Sequence, residues 1–549
     1  MLDKRNFYIN GKWVAPKKQN DFKVIDPSTE KECAVISLAG AEDVNEAVSA
    51  ATKAFQTWAF SSKEERIKYL EALYDVYKKR WNDMAQAISL EMGAPIDFST
   101  QLQAGTGASH IKSYIKVLKE YTFEAKLGEH ALNNNILHEP KGVCALITPW
   151  NWPMNQVCLK VIPAIAAGCT MVLKPSEIAP LSSMILAEMI DEIKLPKGIF
   201  NLVNGDGAVA GNTLTSHPDV NMISFTGSTR AGALISENAA KDFKRVSLEL
   251  GGKGANIIFK DADAEAVERG ALRCFRNTGQ SCNAPTRMLV EKSMYDEAVE
   301  RVKNFANSMK VDVANKEGDH IGPVVSKTQF DKIQSLIQVG IDEGAKVVAG
   351  GLGKPEGLNK GYFVKPTAFA DVNNQMQIAR TEIFGPVLCI IPFETEEEKE
   401  AAGGQGGYAK AMPSKWLQRQ TKLIAQKAIE ADIIITSALI PGREPPILLL
   451  EETVKKMKSG AVIVDMAAGM GKDGSGNCPL TRANKNIMVN NVTIIGKTNL
   501  PSLLSADASS LYARNIFEFI KLLINDKGEL HVNMEDELVS SCLIKEDKQ

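Results

Sequence analysis

The chain has 549 residues, of which 44% are hydrophobic and 24% are charged, values typical of a globular protein with roughly two to four domains. Its formal net charge of −2 excludes a strong electrostatic attraction to nucleic acid or to an anionic membrane. No apolar leader opens the sequence, and its most apolar long stretch is broken by Lys160 and Pro163, so we expect a cytoplasmic protein without membrane insertion. Its nine cysteines form no CxxC pair, so we expect reduced thiols and no metal site.

Residues 1–260 are predicted to begin with short strands and to continue as alternating helices and strands. The first strand candidates are NFYING and FKVIDPST, and Ser62 and Glu65 then fit a capping box ahead of an apolar helical repeat. From residue 143 onward the apolar segments are VCALITPW, TMVLKP, IFNLVNG, VNMISFTG and VSLELGG, and helical segments such as SSMILAEMIDEI lie between them. Repeated units of this kind predict an α/β fold with a parallel sheet that is covered on both faces.

A second α/β stretch follows, and the character of the sequence then changes. The strand candidates of this stretch are ANIIFK, TRMLVEKS and VLCIIPF, and its helix candidate is FDKIQSLIQVGIDEG. Residues 394–411, ETEEEKEAAGGQGGYAKA, combine an acidic run with a glycine-rich run, which indicates a linker, although a surface loop within one domain fits as well. Beyond this segment, ADIIITSAL, AVIVDMAA and NVTIIG predict strands, and NIFEFIKLLI predicts a helix.

Three polar residues lie where α/β proteins place their chemistry. Cys282 follows a Gly-Gln-Ser turn, and such a turn exposes a thiol close to backbone N–H groups, although a structural thiol is the alternative. Glu249 ends an otherwise apolar strand, where a carboxylate is either paired, functional or turned toward solvent. Asn151 follows an apolar strand, so its amide can donate to an oxyanion or simply form a turn.

Six motifs in one order resemble the aldehyde dehydrogenase superfamily over about residues 5–394. These motifs are TPWNWP, LKPSE, FTGSTRAG, LELGGK, GQSC and EIFGPV. The resemblance implies a Rossmann-type NAD-binding domain over residues 1–250, with an arm at about 120–141, and a catalytic domain over residues 251–394. It implies oxidation of an aldehyde to a carboxylic acid through a thiohemiacetal and a thioester on Cys282. Glu249 is then the general base, and Asn151 with the backbone N–H of Cys282 forms the oxyanion hole.

The same resemblance implies NAD as the cofactor, with NADP possible. Lys174 and Glu177 correspond to contacts with the adenine ribose, and Gly227 and Ser228 begin the helix that faces the pyrophosphate. Glu382 and Phe384 correspond to contacts with the nicotinamide ribose and ring. The cofactor-binding residues that the resemblance implies are Trp150, Lys174, Glu177, Gly227, Ser228, Leu250, Glu382 and Phe384.

The chain departs from this pattern after VLCIIPF. The family's closing segment, with its PFGG-type motif and an oligomerisation strand, is not found, so the catalytic domain is predicted to be truncated. Residues 395–549 instead resemble part of the NAD(H)-binding component of the alpha subunit of proton-translocating transhydrogenase, through the strings GGYAKAM, ITSALIPGREPP, MKSGAVIVDMAA, GNCPLT and VTIIGKTNLPS. Tyr408 and Met412 lie where that family has its mobile loop.

Three hypotheses follow for the whole chain. In the first, the dehydrogenase part is an enzyme for a small-molecule aldehyde, with an activity impaired by the missing segment. In the second, the chain is a nucleotide-binding component whose tail docks to a membrane transhydrogenase subunit. In the third, it is a non-functional fusion of two partial genes. A homo-oligomer is expected for the family, but its closing strand is missing, and the apolar strand VLCIIPF is expected to lie uncovered.

Overall fold

A computed structural model describes residues 1–126, 134–394, 414–439, 444–499, 505–524, 530, 532 and 539. The chain divides into two compact units, Met1–Glu396 and Glu397–Gln549. The predicted linker from residue 395 onward, with Tyr408 and Met412, lies outside the described residues. The boundary expected near residue 250, between the NAD-binding and catalytic domains of the first unit, stays a prediction.

The strands described in the first unit include one at each predicted strand segment and seven more outside those segments. They are β1 Leu2–Asp3, β2 Phe7–Ile9, β3 Lys12–Val14, β4 Asp21–Asp26, β5 Lys31–Ser37, β6 Glu124–Lys126, β7 Asn135–Leu137, β8 Val143–Ile147, β9 Thr170–Lys174, β10 Phe200–Leu202, β11 Met222–Thr226, β12 Arg245–Glu249, β13 Ala255–Ile258, β14 Arg287–Glu291, β15 Lys346–Ala349, β16 Thr367–Ala370 and β17 Val387–Phe393.

The helices of the first unit lie between these strands. They are α1 Ala41–Trp58, α2 Lys63–Lys79, α3 Trp81–Met92, α4 Ile96–Phe98, α5 Ala104–Glu120, α6 Pro153–Ala166, α7 Leu181–Glu192, α8 Asn212–Ser216, α9 Thr229–Ala240, α10 Ala266–Phe275, α11 Tyr295–Ser308, α12 Lys327–Asp342 and α13 Gln377–Arg380. The side chain of Ser62 accepts a hydrogen bond from the backbone N–H of Glu65, which confirms the predicted start of α2.

A seven-stranded sheet carries the predicted β-α units. Its order is β12-β11-β8-β9-β10-β2-β3, and the first five strands are parallel. Leu146 and Leu173 pack into a hydrophobic core on one face, and Ala145 and Val172 pack into a second core on the other face. The predicted parallel sheet with two covered faces is therefore confirmed. The edge strand β12 is not covered on both faces, because Arg245, Ser247 and Glu249 are exposed.

A five-stranded sheet has the order β13-β14-β17-β16-β15 and is parallel except for β15. The expectation that VLCIIPF lies uncovered is wrong, because β17 is the central strand and its residues Val387–Ile391 are buried between two cores. The uncovered apolar surface lies instead at the edge strand β13, where Ile257 is 56% exposed and the following Phe259 is 47% exposed.

The second unit has one four-stranded sheet and its own small core. Its strands are β18 Ile433–Thr436, β19 Val462–Asp465, β20 Asn486–Val489 and β21 Val492–Ile495, and its helices are α14 Ser414–Glu430, α15 Glu451–Val454 and α16 Ser505–Leu522. The sheet order is β18-β19-β21-β20, with only β20 antiparallel. Ala428, Ile463 and Ile494 contribute to the core. Within the described residues of both units, no helix has the length and apolar character needed to cross a membrane.

Candidate active site

A cavity of about 200 Å³ lies where the carboxyl ends of β8, β11 and β12 meet two loops of the five-stranded sheet. Carboxyl ends of parallel strands are where α/β proteins bind ligands. The cavity gathers the predicted residues Trp150, Asn151, Gly227, Ser228, Glu249, Leu250, Cys282, Glu382 and Phe384. It also contains Gln156, Thr226, Gly251, Gln329 and Lys332, which the sequence analysis missed.

The loop that presents Cys282 is held in an unusual backbone conformation. Asn277 and Thr278 both have φ of 55°, and Gly279 has φ of 69°. A side chain at Gly279 would collide with the carbonyl oxygen of Gly385, so only glycine fits at this close approach. The left-handed residues store strain, and such strain is common where a backbone is fixed for function.

Buried amides anchor this loop to Asn151. The side-chain amide of Asn151 donates to the backbone oxygen of Gln280 at 2.9 Å, and the side-chain amide of Asn277 donates to the backbone oxygen of Asn151 at 3.0 Å. Gln103 donates to the same oxygen of Asn151 at 3.2 Å, and the side-chain oxygen of Gln280 accepts from the backbone N–H of Val325 at 2.9 Å. The network fixes the Asn151 amide at the wall of the cavity.

The thiol of Cys282 is exposed to the cavity and is not activated by its surroundings. Partial burial raises the pKa of this thiol above its usual value, and the carboxylates of Glu382 and Glu249 raise it further, while backbone N–H groups of Cys282 and Asn283 act in the opposite direction. Two nearby negative charges therefore disfavour the thiolate form of Cys282.

Glu249 lines the cavity but is exposed, so the structure selects the solvent-facing alternative over a buried, paired carboxylate. An exposed carboxylate at this position can still act on a water molecule near Cys282.

A buried lysine lies close to Glu249. Burial lowers the pKa of Lys160 to about 8, and Glu249 partly offsets this effect. The Lys160 ammonium donates to the hydroxyl of Ser224 at 3.0 Å. The sequence analysis treated Lys160 only as an interruption of an apolar stretch.

The turn that carries Glu382 and Phe384 is clamped by α12. The side-chain amide of Gln329 donates to the backbone oxygens of Phe384 at 2.7 Å and Ile383 at 3.2 Å, and Lys332 donates to the backbone oxygen of Glu382 at 3.1 Å. Phe384 has φ of 60°, which an aromatic residue rarely adopts. Its ring lies edge-on to Trp150, with the ring centroids 5.4 Å apart.

Lys174 and Glu177 do not line the cavity. Lys174 ends β9, the strand next to β8, and Glu177 follows three residues later, so both lie farther along the same edge of the sheet. The Lys174 ammonium is buried and donates to the backbone oxygens of Pro175 at 3.0 Å and Gly205 at 2.5 Å, and it lies 3.8 Å from the carboxylate of Glu177. Burial lowers the pKa of Lys174, and Glu177 and Asp206 partly offset this effect.

Comparisons with known proteins identify the family of the chain. The model of the aldehyde dehydrogenase family matches residues 13–411, and the model of the alanine dehydrogenase/PNT C-terminal domain matches residues 365–549. A 3-succinoylsemialdehyde-pyridine dehydrogenase from a Pseudomonas species is 50% identical over 415 residues, which cover 74% of this chain and 86% of the relative. A putative aldehyde dehydrogenase from Staphylococcus epidermidis is 43% identical over 435 residues, covering 78% of this chain and 91% of the relative.

Solved structures give the same result. The aldehyde dehydrogenase from Bartonella henselae is 59% identical with a TM-score of 0.72, and the match covers 72% of this chain and 84% of that one. A variant of aldehyde dehydrogenase C from Pseudomonas syringae, in complex with NAD+ and octanal, is 45% identical with a TM-score of 0.70, covering 71% and 80%. The chain therefore belongs to the aldehyde dehydrogenase family. The C-terminal match confirms the predicted fusion to a transhydrogenase-like fragment.

Proposed function

We propose that this chain oxidises an aldehyde to a carboxylic acid with NAD as the oxidant, and that Cys282 is the nucleophile. The observation that carries the proposal is the single cavity that brings Cys282, Asn151 and Glu249 together with Glu382 and Phe384. A thiol, an amide donor and a carboxylate in one cavity are the groups that acyl transfer through a thioester requires.

The residues of the cavity fit a dinucleotide. Thr226 lines the cavity, and its buried hydroxyl has no hydrogen-bond partner among the described residues. Ser228 caps α9, a helix of 12 residues, and the unpaired N–H groups of this end of the helix suit a pyrophosphate. The Glu382 carboxylate suits ribose hydroxyls. When bound, NAD supplies the acceptor for the two electrons that leave the aldehyde carbon.

The mechanism assigns one task to each side chain. The sulfur of Cys282 attacks the aldehyde carbon, and the carbonyl oxygen becomes an oxyanion that the Asn151 amide and the Cys282 backbone N–H stabilise. Oxidation of this thiohemiacetal leaves a thioester on Cys282. Glu249 then takes a proton from a water molecule that attacks the thioester, and the carboxylic acid leaves as the thiol reforms.

The test is the variant Cys282→Ala in the full chain, with Cys33→Ala as the matched control because Cys33 lies in β5 outside the cavity. We expect Cys282→Ala to abolish aldehyde-dependent NADH formation and the acyl adduct detected by mass spectrometry, and to leave NAD binding by calorimetry nearly unchanged. Full oxidation by Cys282→Ala would exclude this nucleophile, and loss of NAD binding would show that the cysteine is structural.

A further inference from the structure

The four-stranded sheet of the second unit has one face that is covered by helices of the same unit. The strand register aligns Ile434 with Ile463 and Ile463 with Ile494, and it then pairs Ile494 with Ile487 in β20. These four side chains pack into the small core of the unit, to which α14 and α15 also contribute. One layer of helices is therefore already in place on this side of the sheet.

The opposite face of the same sheet, called the open face below, carries apolar side chains that are not covered. Successive side chains of a strand point to opposite faces, so the neighbours of the core residues point away from the core. Ile433, Ile435 and Met488 on this face are about two-thirds exposed. A parallel sheet normally has both faces covered, so a second layer is missing among the described residues. The apolar side chains of the open face are Ile433, Ile435, Val462, Val464, Ile495 and Met488.

The helix α16 carries an apolar stripe that is exposed as well. Tyr512, Ile516 and Ile520 recur every four residues, and Phe517 lies three residues before Ile520, so the four side chains share one side of the helix. They are between 42% and 68% exposed. An amphipathic helix normally packs such a stripe against a core. In one copy of the chain, the open face and the stripe are thus exposed at the same time.

The two surfaces match in size. Four strands spaced about 4.8 Å apart make a face about 14 Å wide between its outer strands, and strands of four residues are about 13 Å long. The helix α16 has 18 residues, so it is about 27 Å long and about 10 Å across. One such helix therefore covers most of the open face, as helices do on the sheets of α/β proteins.

We propose that the open face is covered by a second copy of this chain. The stripe of α16 in each copy packs on the open face of the other copy, so the two contacts are identical and the assembly closes as a dimer. The dimer does not depend on the oligomerisation strand of the dehydrogenase family, which is not found in this sequence.

The area of the two surfaces agrees with a mutual contact. Seven of their side chains are more than two-fifths exposed, and covering each of them removes roughly 100 Å² from water. The pairing of both surfaces therefore buries about 700 Å² per copy, close to the roughly 800 Å² per partner of a stable interface. One helix on one sheet would bury only about half of this area, which is too little for a stable complex.

The experiment uses the full chain carrying Ile257→Lys, so that the exposed edge strand β13 does not join chains. Size-exclusion chromatography with light scattering measures the particle mass at about 10 µM, where an interface of this size is occupied. We expect a particle of at least two chains, each of 59.7 kDa. A particle of one chain would overturn the proposal, because the open face would then be left bare or be covered from within the same chain.

Two variants place a charge on each surface in turn. Ile435→Lys alters the open face, and Phe517→Glu alters the stripe. Each variant alone should halve the particle mass, because an apolar contact excludes an unpaired charge. Phe243→Lys is the matched control, since Phe243 is exposed in a turn of the first unit, and it should leave the mass unchanged. An unchanged mass in Ile435→Lys or in Phe517→Glu would refute the proposal.

An equimolar mixture of these two variants distinguishes contact between copies from contact within one copy. In a mixed dimer, the intact helix of the Ile435→Lys chain covers the intact sheet of the Phe517→Glu chain. In the second contact, the introduced lysine meets the introduced glutamate. The mixture should therefore recover the particle mass that each variant alone has lost, which a variant that failed to fold could not do. A mixture that stays at the halved mass would overturn the proposal.

Discussion

Glu177 is the residue whose charge bears most directly on the choice of cofactor. Its carboxylate is partly exposed at the carboxyl end of β9, and the buried ammonium of Lys174 lies 3.8 Å away. A carboxylate at the adenine ribose repels a 2′-phosphate, and the lysine offsets only part of this repulsion. We therefore expect the pair to favour NAD over NADP by a modest margin.

We predict that Glu177→Gln shifts the preference toward NADP. The ratio of kcat/KM for NAD to that for NADP should fall by roughly tenfold, because removal of one partly screened charge changes a binding free energy by about 1.4 kcal/mol. Steady-state kinetics with both cofactors measures this ratio, and Glu192→Gln, at the end of α7, is the control. Equal ratios in the wild-type chain and in Glu177→Gln would contradict the prediction.

At the scale of elements, the helix α12 fixes the turn that we propose to face the cofactor. Gln329 bonds two backbone oxygens of the turn, so its loss frees Phe384 from a backbone conformation that it does not favour. We predict that Gln329→Leu raises KM for NAD by roughly tenfold, which corresponds to the loss of about one buried hydrogen bond. Amide hydrogen exchange at residues 382–385 should also become faster.

The matched control for this variant is Gln338→Leu. Gln338 lies on the same helix, and its side-chain amide bonds only the exposed carboxylate of Asp342, at 2.7 Å. This control should leave both KM and the exchange rates unchanged. If Gln329→Leu changes KM but not the exchange rates, Gln329 contacts the cofactor directly and does not act through the turn.

The first backbone N–H groups of another helix, α7, donate hydrogen bonds to a buried carboxylate from α3. Glu91 is fully buried and accepts hydrogen bonds from the backbone N–H groups of Leu181 and Ser182, the latter at 3.0 Å. Burial raises the pKa of Glu91 to about 7, despite these hydrogen bonds, from an ordinary value of 4.5. The folded chain therefore keeps a proton that the unfolded chain releases between pH 4.5 and about 7.

We predict that this residue makes the free energy of unfolding fall as pH rises through that interval. The contribution of Glu91 to this fall is about 3 kcal/mol across the interval, since one pKa unit corresponds to about 1.4 kcal/mol. Urea unfolding at several pH values should show the slope in the wild-type chain and in the exposed control Glu300→Gln, and a reduced slope in Glu91→Gln. If the free energy of unfolding has the same pH dependence in Glu91→Gln and in the wild type, Glu91 does not titrate in this interval.

The elements show what sequence patterns can and cannot predict. Apolar segments bounded by turns located most strands of the parallel sheets, because burial on two faces leaves a continuous signal, but they missed others such as β7 and β20. The same pattern led to the wrong prediction that VLCIIPF is uncovered, because the order of strands in a sheet does not follow from the pattern of one strand. Gln329 and Lys332 were missed for a related reason, since polar residues on an amphipathic helix fit an ordinary solvent-facing surface until a distant turn is packed against them.

For the whole molecule, the open edge of the five-stranded sheet bears most on the outcome of the fusion. Among the described residues, β13 pairs with a strand on one side only, and its Ile257 and the following Phe259 are about half exposed. Close to this edge, side-chain nitrogens of Asn256, Lys253 and Arg287 are buried and find no hydrogen-bond partner in the part of the chain that the structure describes. Each unpaired buried donor costs about 1–3 kcal/mol, and each large apolar side chain left half in water forgoes about 1 kcal/mol.

These penalties amount to several kcal/mol, which is comparable with the total stability of roughly 5–15 kcal/mol for a typical domain. We therefore predict that the full chain is a poor dehydrogenase, although its catalytic residues share one cavity. The measurement is propanal-dependent NADH formation together with a thermal melt, with the aldehyde dehydrogenase of Bartonella henselae as the reference. We expect turnover well below roughly 1 per second and aggregation below about 45 °C.

Because a charge at an exposed edge blocks strand pairing between chains, Ile257→Lys should reduce the aggregation. A cooperative melt above about 45 °C with turnover of roughly 1 per second or faster would show that the sheet is stable with this edge uncovered.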